Sequence, residues 1–233
     1  MKVKIRTIFL ILLMISTKTQ LFATSQFPDR LILNNDNKPL CTNPLYSFFN
    51  NPENNEKYNA ILSKYDVVTS TACWRGYIAT FEIIDSALYI VDLTIEIAAE
   101  STDKQKIFQT TDISIFQELF ESDEPFLCNF YSGILIVPQG KMIKYVHGGY
   151  LSEYERYILI KITDGKVKNK GEYSLQEYKD KKDKAFEVFY KSDKYEDCWN
   201  RIKKSFADSI SEKSKKIIMK ESEDFYLYDF FEF

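Results

Sequence analysis

Two β-rich runs that meet at a two-residue break constrain this chain more than any other feature. Residues 74–84 and 87–97 are rich in Ile, Tyr, Thr and Val, and only Asp85-Ser86 separates them. That pattern predicts an antiparallel hairpin. In the first run Tyr77, Ala79, Phe81 and Ile83 alternate with Ile78, Thr80, Glu82 and Ile84. Both faces are therefore largely apolar, and the pair is expected to lie inside a sheet.

Further elements flank this hairpin. Residues 131–146 read as a second hairpin with Pro138-Gln139-Gly140 as its turn, and residues 156–167 as a strand ending at Asp164-Gly165. Asn51 before Pro52 is an N-cap signal, and Tyr58, Ile61, Leu62 and Tyr65 then share one helical face. Residues 110–125 predict a brief helix capped by Thr111 or Asp112 and ended before Pro125. Ser174 and Glu177 form a capping box, followed by Tyr178, Ala185, Phe186 and Phe189 near helical spacing. Beyond Ser192-Asp193, the row Tyr195, Trp199, Ile202, Phe206, Ile210 and Ile217 predicts one long amphipathic helix. The fold class is α+β: a mostly antiparallel sheet of β-hairpins with short helices, followed by a C-terminal helical pair.

The N-terminus reads as a secretory leader. Lys2, Lys4 and Arg6 precede eight apolar residues at 8–15, and Ala23 and Ser25 fit a cleavage site after residue 25, with cleavage after Ala23 as the alternative. Eight residues fall well short of the ~20 needed to span a bilayer. The expected organisation is a signal peptide at 1–25, an α+β sheet domain at 26–170, an amphipathic helical pair at 171–222 and an acidic aromatic tail at 223–233. Export, to the periplasm or beyond the cell, is the expected localisation, with no transmembrane segment after cleavage.

Loss of Lys2, Lys4, Arg6 and Lys18 takes the net charge from −3 to −7. The charge is blocked: −8 over residues 26–165, +6 over 166–220, and five acids without a base over 221–233. The tail is expected to pack on the basic helices or to act as a short interaction peptide. Cys41, Cys73, Cys128 and Cys198 carry no C-x-x-C pair. An exported chain makes a disulfide framework available to them, with three connectivities; four buried thiols are the other outcome.

Two segments carry a family resemblance. Residues 73–93, beginning Cys73-Trp74-Arg75-Gly76-Tyr77, and residues 131–167, with Tyr145-Val146-His147-Gly148-Gly149-Tyr150 and Ser152-Glu153-Tyr154-Glu155, resemble an uncharacterised bacterial protein family sharing C-W-R-G-Y and Y-V-H-x-G-Y-x-S-x-Y-E words. The resemblance covers residues 70–168. It implies that Trp74, Arg75, Gly76, His147, Gly149, Tyr150, Tyr154 and Glu155 belong to a shared framework, and it carries no activity, cofactor or catalytic role.

His147 is the only histidine in the chain. With Glu153 or Glu155 to orient it, it is the candidate general acid or base of a hydrolase. The structural reading is that a strand ends at Tyr145-Val146 and Gly148-Gly149 makes a turn requiring positive φ. The His-Gly-Gly word matches esterase oxyanion segments, but no G-x-S-x-G elbow accompanies it. A single histidine without paired cysteines excludes the usual zinc sets. The acids Glu121, Asp123 and Glu124 read as solvated loop residues rather than a calcium or magnesium site. Glu82, Asp85, Asp92, Glu153 and Glu155 offer carboxylates for glycoside chemistry without singling out a pair. No Walker or G-x-G-x-x-G motif occurs, so no metal, no cofactor and no nucleic-acid partner is expected. Arg75 beside Trp74 suits an anionic group, and Trp74, Arg75, Tyr150 and Tyr154 are the candidate binding residues. The leading expectation is a non-catalytic binding module for a protein or anionic partner, and the alternative is the His147 hydrolase.

Overall fold

The computed structural model describes residues 24–99, 109–206 and 210–233, so residues 1–23 of the expected leader lie outside it. The described residues build a nine-stranded, mostly antiparallel sheet with short helices and a helical C-terminal quarter, the expected α+β class. None of their helices is long and apolar enough to cross a membrane.

The first hairpin forms as the pattern requires. β3 (Ile78–Ile84) and β4 (Ala87–Ala98) are joined at Asp85 and Ser86, whose φ values of 48° and 62° give the left-handed pair that matches strand twist. A second tight turn at Asn34-Asn35 joins β1 (Asp29–Leu33) to β2 (Asp36–Leu40). β1 runs parallel to β3, which places β3 between β1 and β4 inside the sheet. The strand path continues from β4 through β9 (Lys166–Ser174) and β8 (Glu153–Thr163) to β7 (Gly133–Lys144). Its two ends meet where the Cys41 N–H donates to the Ile136 carbonyl at 2.8 Å.

Pro138-Gln139-Gly140 is not a turn. β7 runs straight through it, and its register against β8 slips between Gln139 and Met142. The slip is a β-bulge, with Gly140 at φ 76°. Glu155 lies opposite, accepting the Lys141 N–H at 3.0 Å, and a side chain at position 140 would collide with its carboxylate. Pro138 is tolerated because β7 ends the strand path, so its missing N–H breaks no ladder bond. The true reversal comes at residues 145–152.

Three other expectations change. Residues 110–114 form β5 (Thr110–Ser114) against the end of β4, and the helix is confined to Phe116–Phe120, here α3. The Ser114 hydroxyl accepts the Phe116 N–H at 3.3 Å, which moves the helix start past Thr111 and Asp112. β9 carries little apolar pattern, with only Val167 and Tyr173 turned to the cores, and the Asp164-Gly165 turn returns it along β8. The long helix over 195–217 is broken into α5 (Lys194–Ile202) and α6 (Glu212–Glu221), with α6 started by the Ser211 hydroxyl accepting from the Ser214 N–H. Folding back buries Lys215, whose ammonium pairs with Glu196 at 2.6 Å and lies over Tyr195 and Trp199. Ile217, predicted on the apolar face, is 55% exposed.

Two of the remaining helices follow the caps read from the sequence, and a third, Leu45–Phe49, had no such signal. Leu45–Phe49 forms α1, and Pro52–Leu62 forms α2, where the Asn51 side chain accepts from the Glu53 N–H. Leu175–Tyr190 forms α4 behind a complete capping box.

Alternation along β7 and β8 serves two cores. Leu135, Val137, Ile160 and Ile162 face one with Phe81, Leu93 and Phe48. Ile134, Ile136, Tyr157 and Leu159 face the other, roofed by Phe186, Phe189, Met219 and the tail residues Tyr226, Leu227 and Phe231. The tail therefore packs on the basic helices, ending in the short helix α7 (Leu227–Phe230). Lys182–Glu223 at 2.7 Å and Lys194–Asp229 at 2.9 Å tie it down. All four cysteines are free thiols, so no disulfide frames the fold.

Candidate functional site

Four chain segments converge around a cleft of about 730 Å³: the Cys41–Asn43 stretch leaving β2, the reversal between β7 and β8, the first turns of α4, and residues 220–224, which end α6 and lead out of it. The β-bulge at Gly140 matters here, because it carries β7 on to Lys144 and sets the reversal beside α4. Ile136, Leu151, Leu175 and the Tyr150, Tyr157 and Tyr178 side chains supply apolar lining.

Most charges in the cleft are matched. Glu153 meets Lys179 at 2.7 Å, and that hydrogen bond holds its carboxyl below the usual range. Glu223 takes Lys182 at 2.7 Å on one oxygen and the Tyr178 hydroxyl at 2.9 Å on the other. Burial, reinforced by Glu223, pushes the Tyr178 phenol well above its ordinary value. Burial works against the charge of Lys182, but Glu223, together with Glu221 and Asp183, outweighs it and raises its pKa. Lys220 reaches Asp183 at 2.8 Å. The Cys41 thiol is pushed up to about 12 by burial and by Glu223, so it is protonated and a poor nucleophile at neutral pH.

Arg75 does not line the cleft; it lies inside the protein. Its guanidinium pairs with Asp29 at 2.9 Å and donates to the Phe27 carbonyl at 2.7 Å and the Tyr150 hydroxyl at 2.9 Å. Tyr150 in turn donates to the Asn43 side chain at 2.9 Å. Arg75 is thus an internal clasp between the N-terminal segment and the reversal, while Tyr150 gives its hydroxyl to the clasp and its ring to the cleft. The Cys73–Tyr77 and Tyr145–Tyr150 segments meet at this Arg75–Tyr150 bond. Burial outweighs the pull of Arg75 on Asp29 and raises its carboxyl from 3.8 to about 6, whereas Arg75 stays charged beside it.

The other expected site residues separate. Glu153 lines the cleft, but His147 and Glu155 do not. His147 is exposed, with its Nδ1 3.3 Å from the Tyr145 hydroxyl. Gly149, at φ 48°, makes the left-handed step of the reversal, whereas Gly148 does not. Glu155 braces the bulge. Trp74 is 64% exposed near the Tyr46 ring, and half-buried Tyr154 stands edge-on to Tyr157. Among the acids weighed for a cation, Glu121 pairs with Lys57 and Asp123 accepts from Gln117. No group of three or more His, Cys, Asp or Glu among the described residues is arranged to hold a metal ion.

Sequence reasoning missed Thr42, Asn43, Lys179, Lys182 and the 220–224 turn, which lie up to 182 positions apart along the chain. The one available signal was the acidic tail following a basic block, which brings Glu223 to Lys182. Comparison with protein-family models, curated proteins and solved structures returned no match.

Proposed function

We propose that this chain is an exported, non-catalytic binding module that holds a small ligand in the cleft between the β7–β8 reversal, α4 and the 220–224 turn. The observation that carries this reading is the cleft itself. Its volume of about 730 Å³ falls within the roughly 300–1,000 Å³ typical of small-molecule sites. Tyr150, Tyr157, Tyr178, Leu151 and Leu175 give it the aromatic and apolar surface usual in such a site, beside charged groups most of which pair with one another. The placement of His147 and Glu155 outside the cleft favours binding over hydrolysis. On this reading Arg75 sets the position of Tyr150, and that clasp is the framework the two family words have in common.

A fragment screen read by thermal shift tests the site. Fragments that raise the Tm of the wild-type protein should lose their effect in Leu151→Trp, which fills the cleft mouth, and keep it in His147→Ala. Stabilisation that survives Leu151→Trp, or disappears in His147→Ala, counts against the cleft. Export rests on the basic, apolar and small-residue succession in residues 1–25. N-terminal sequencing of the protein from the extracytoplasmic fraction should then begin at Gln26, or at Thr24 for the earlier cut. An intact Met1 in protein retained inside the cell would refute it.

A further inference from the structure

Large apolar side chains are exposed mostly at one end of the molecule. Ten are exposed among the described residues, and six of them gather here: Phe27, Trp74, Met142, Ile143, Tyr145 and Leu151. They belong to the end of β7, to the reversal that follows it, or to segments bonded to that reversal. Ser25 bridges Gly149, and the Gln26 N–H donates to the Gly149 carbonyl at 3.1 Å. The Gln26 side chain accepts from the Trp74 N–H at 3.2 Å, and the Phe27 N–H reaches the Ala72 carbonyl at 2.7 Å. Past the bulge, every residue from Gly140 to Tyr145 is exposed, so this end of the hairpin projects beyond both cores. Its outer edge has no strand partner among the described residues. An open edge with Met, Ile and Tyr side chains turned to water marks an interaction surface.

Two observations say what covers it. The first is where the leader joins. The chain enters the described structure at Thr24, next to the Ser25–Gly149 bridge, and only eight residues, 16–23, separate it from the apolar run at 8–15. Eight extended residues reach at most about 28 Å. A leader seated in a bilayer therefore keeps this end of the protein within that distance of the lipid surface. The second is charge. Residues 139–152 contain Lys141, Lys144 and His147 and no acid, and the bonded segments 24–28 and 69–74 carry no charge. Across the hairpin, Glu153 is paired with Lys179 at 2.7 Å, and Glu155 turns onto the bulge to accept the Lys141 N–H. Trp, Tyr and aliphatic side chains beside lysines are the composition of surfaces that sit at lipid headgroups.

We propose that this end of the protein docks on an anionic lipid surface, with Trp74, Ile143 and Tyr145 entering the headgroup layer and Lys141 and Lys144 meeting lipid phosphates. The docking is peripheral and independent of what the cleft holds. The leader argument rests on export, which N-terminal sequencing tests separately.

Vesicle binding tests the docking on the chain from Thr24 onward, since both cores are built from Leu31 and the residues after it. A Trp199→Phe background leaves Trp74 as the only indole. Phosphatidylglycerol vesicles should sediment this protein and shift Trp74 emission to shorter wavelength, and phosphatidylcholine vesicles should bind it about tenfold or more weakly. Lys141→Gln with Lys144→Gln should weaken binding to phosphatidylglycerol by about tenfold or more, because each lysine near an anionic surface contributes roughly fivefold. Ile143→Asp with Tyr145→Asp should abolish binding while the urea midpoint holds, since both side chains are exposed. No sedimentation with phosphatidylglycerol overturns the proposal, as does equal binding to both lipids or binding that the two aspartates leave intact. A dimer in solution that the same aspartates dissociate, without vesicle binding, overturns it in favour of a second copy of this chain.

Discussion

Replacing Arg75 with methionine should lower stability by about 3–5 kcal/mol, the cost of leaving one partner of a buried ion pair without the other. Both side chains are almost wholly enclosed, at 2% and 0% exposure, so water cannot take over for the lost guanidinium. The Phe27 carbonyl and the Tyr150 hydroxyl lose a donor at the same time. Urea unfolding measures the loss. Asp29→Asn should be milder, because the amide oxygen still accepts from Arg75 and from the Ala79 N–H, now bonded to Asp29 at 3.0 Å. The double variant should cost less than the sum of the two, and strict additivity would show that the pair is not coupled.

The same site sets a pH slope. The Asp29 carboxyl is raised from 3.8 to about 6 on folding, so the folded state binds this proton more tightly than the unfolded chain. Its contribution to stability is therefore fully present below about 3.8 and is lost as pH rises through about 6. Asp29→Asn should flatten that part of the profile. An unchanged slope between those values would rule out Asp29 as its source.

Deleting residues 223–233 should have a still larger effect. Tyr226, Leu227 and Phe231 are 0%, 2% and 5% exposed in the core above β7 and β8. Burying a large apolar side chain contributes about 1.5–3 kcal/mol, so losing three removes an amount comparable to the 5–15 kcal/mol of a whole domain. The truncated chain should lose its cooperative urea transition and bind a hydrophobic dye. Phe231→Ala, at about 3–5 kcal/mol, should remain folded and shift the midpoint in the same direction. A truncated chain with the wild-type midpoint would make the tail an appendage and not a core element.

Much of the fold was legible because its signals are local. The Asp85-Ser86 and Asp164-Gly165 turns, the Asn51 cap and the Ser174–Glu177 box each act within a few residues, and each forms where the pattern places it. The misses share one cause. Pro138-Gln139-Gly140 has turn chemistry, but whether it turns or bulges depends on residues 153–156 continuing the ladder across from it. Lys166–Ser174 has little apolar pattern and becomes a strand because β8 offers it an edge. Lys215 reads as a solvated lysine until α6 folds back on Tyr195 and Trp199.

The candidate site was less legible than the fold. Composition and motif content alone ruled out zinc sets, serine-hydrolase elbows and nucleotide loops, and they marked out residues 147–155. Only the tertiary structure separates that stretch into roles: Tyr150 and Glu153 at the cleft, Glu155 at the bulge, and His147 on the outer surface. It also turns Arg75 inward, because a guanidinium with Asp29, a carbonyl and a phenol within reach is better satisfied buried than exposed. Local sequence determines which turns and caps form, since those interactions span a few residues. What each side chain does at the cleft is decided by segments far apart in the chain, and their contacts exist only once the sheet has brought them together.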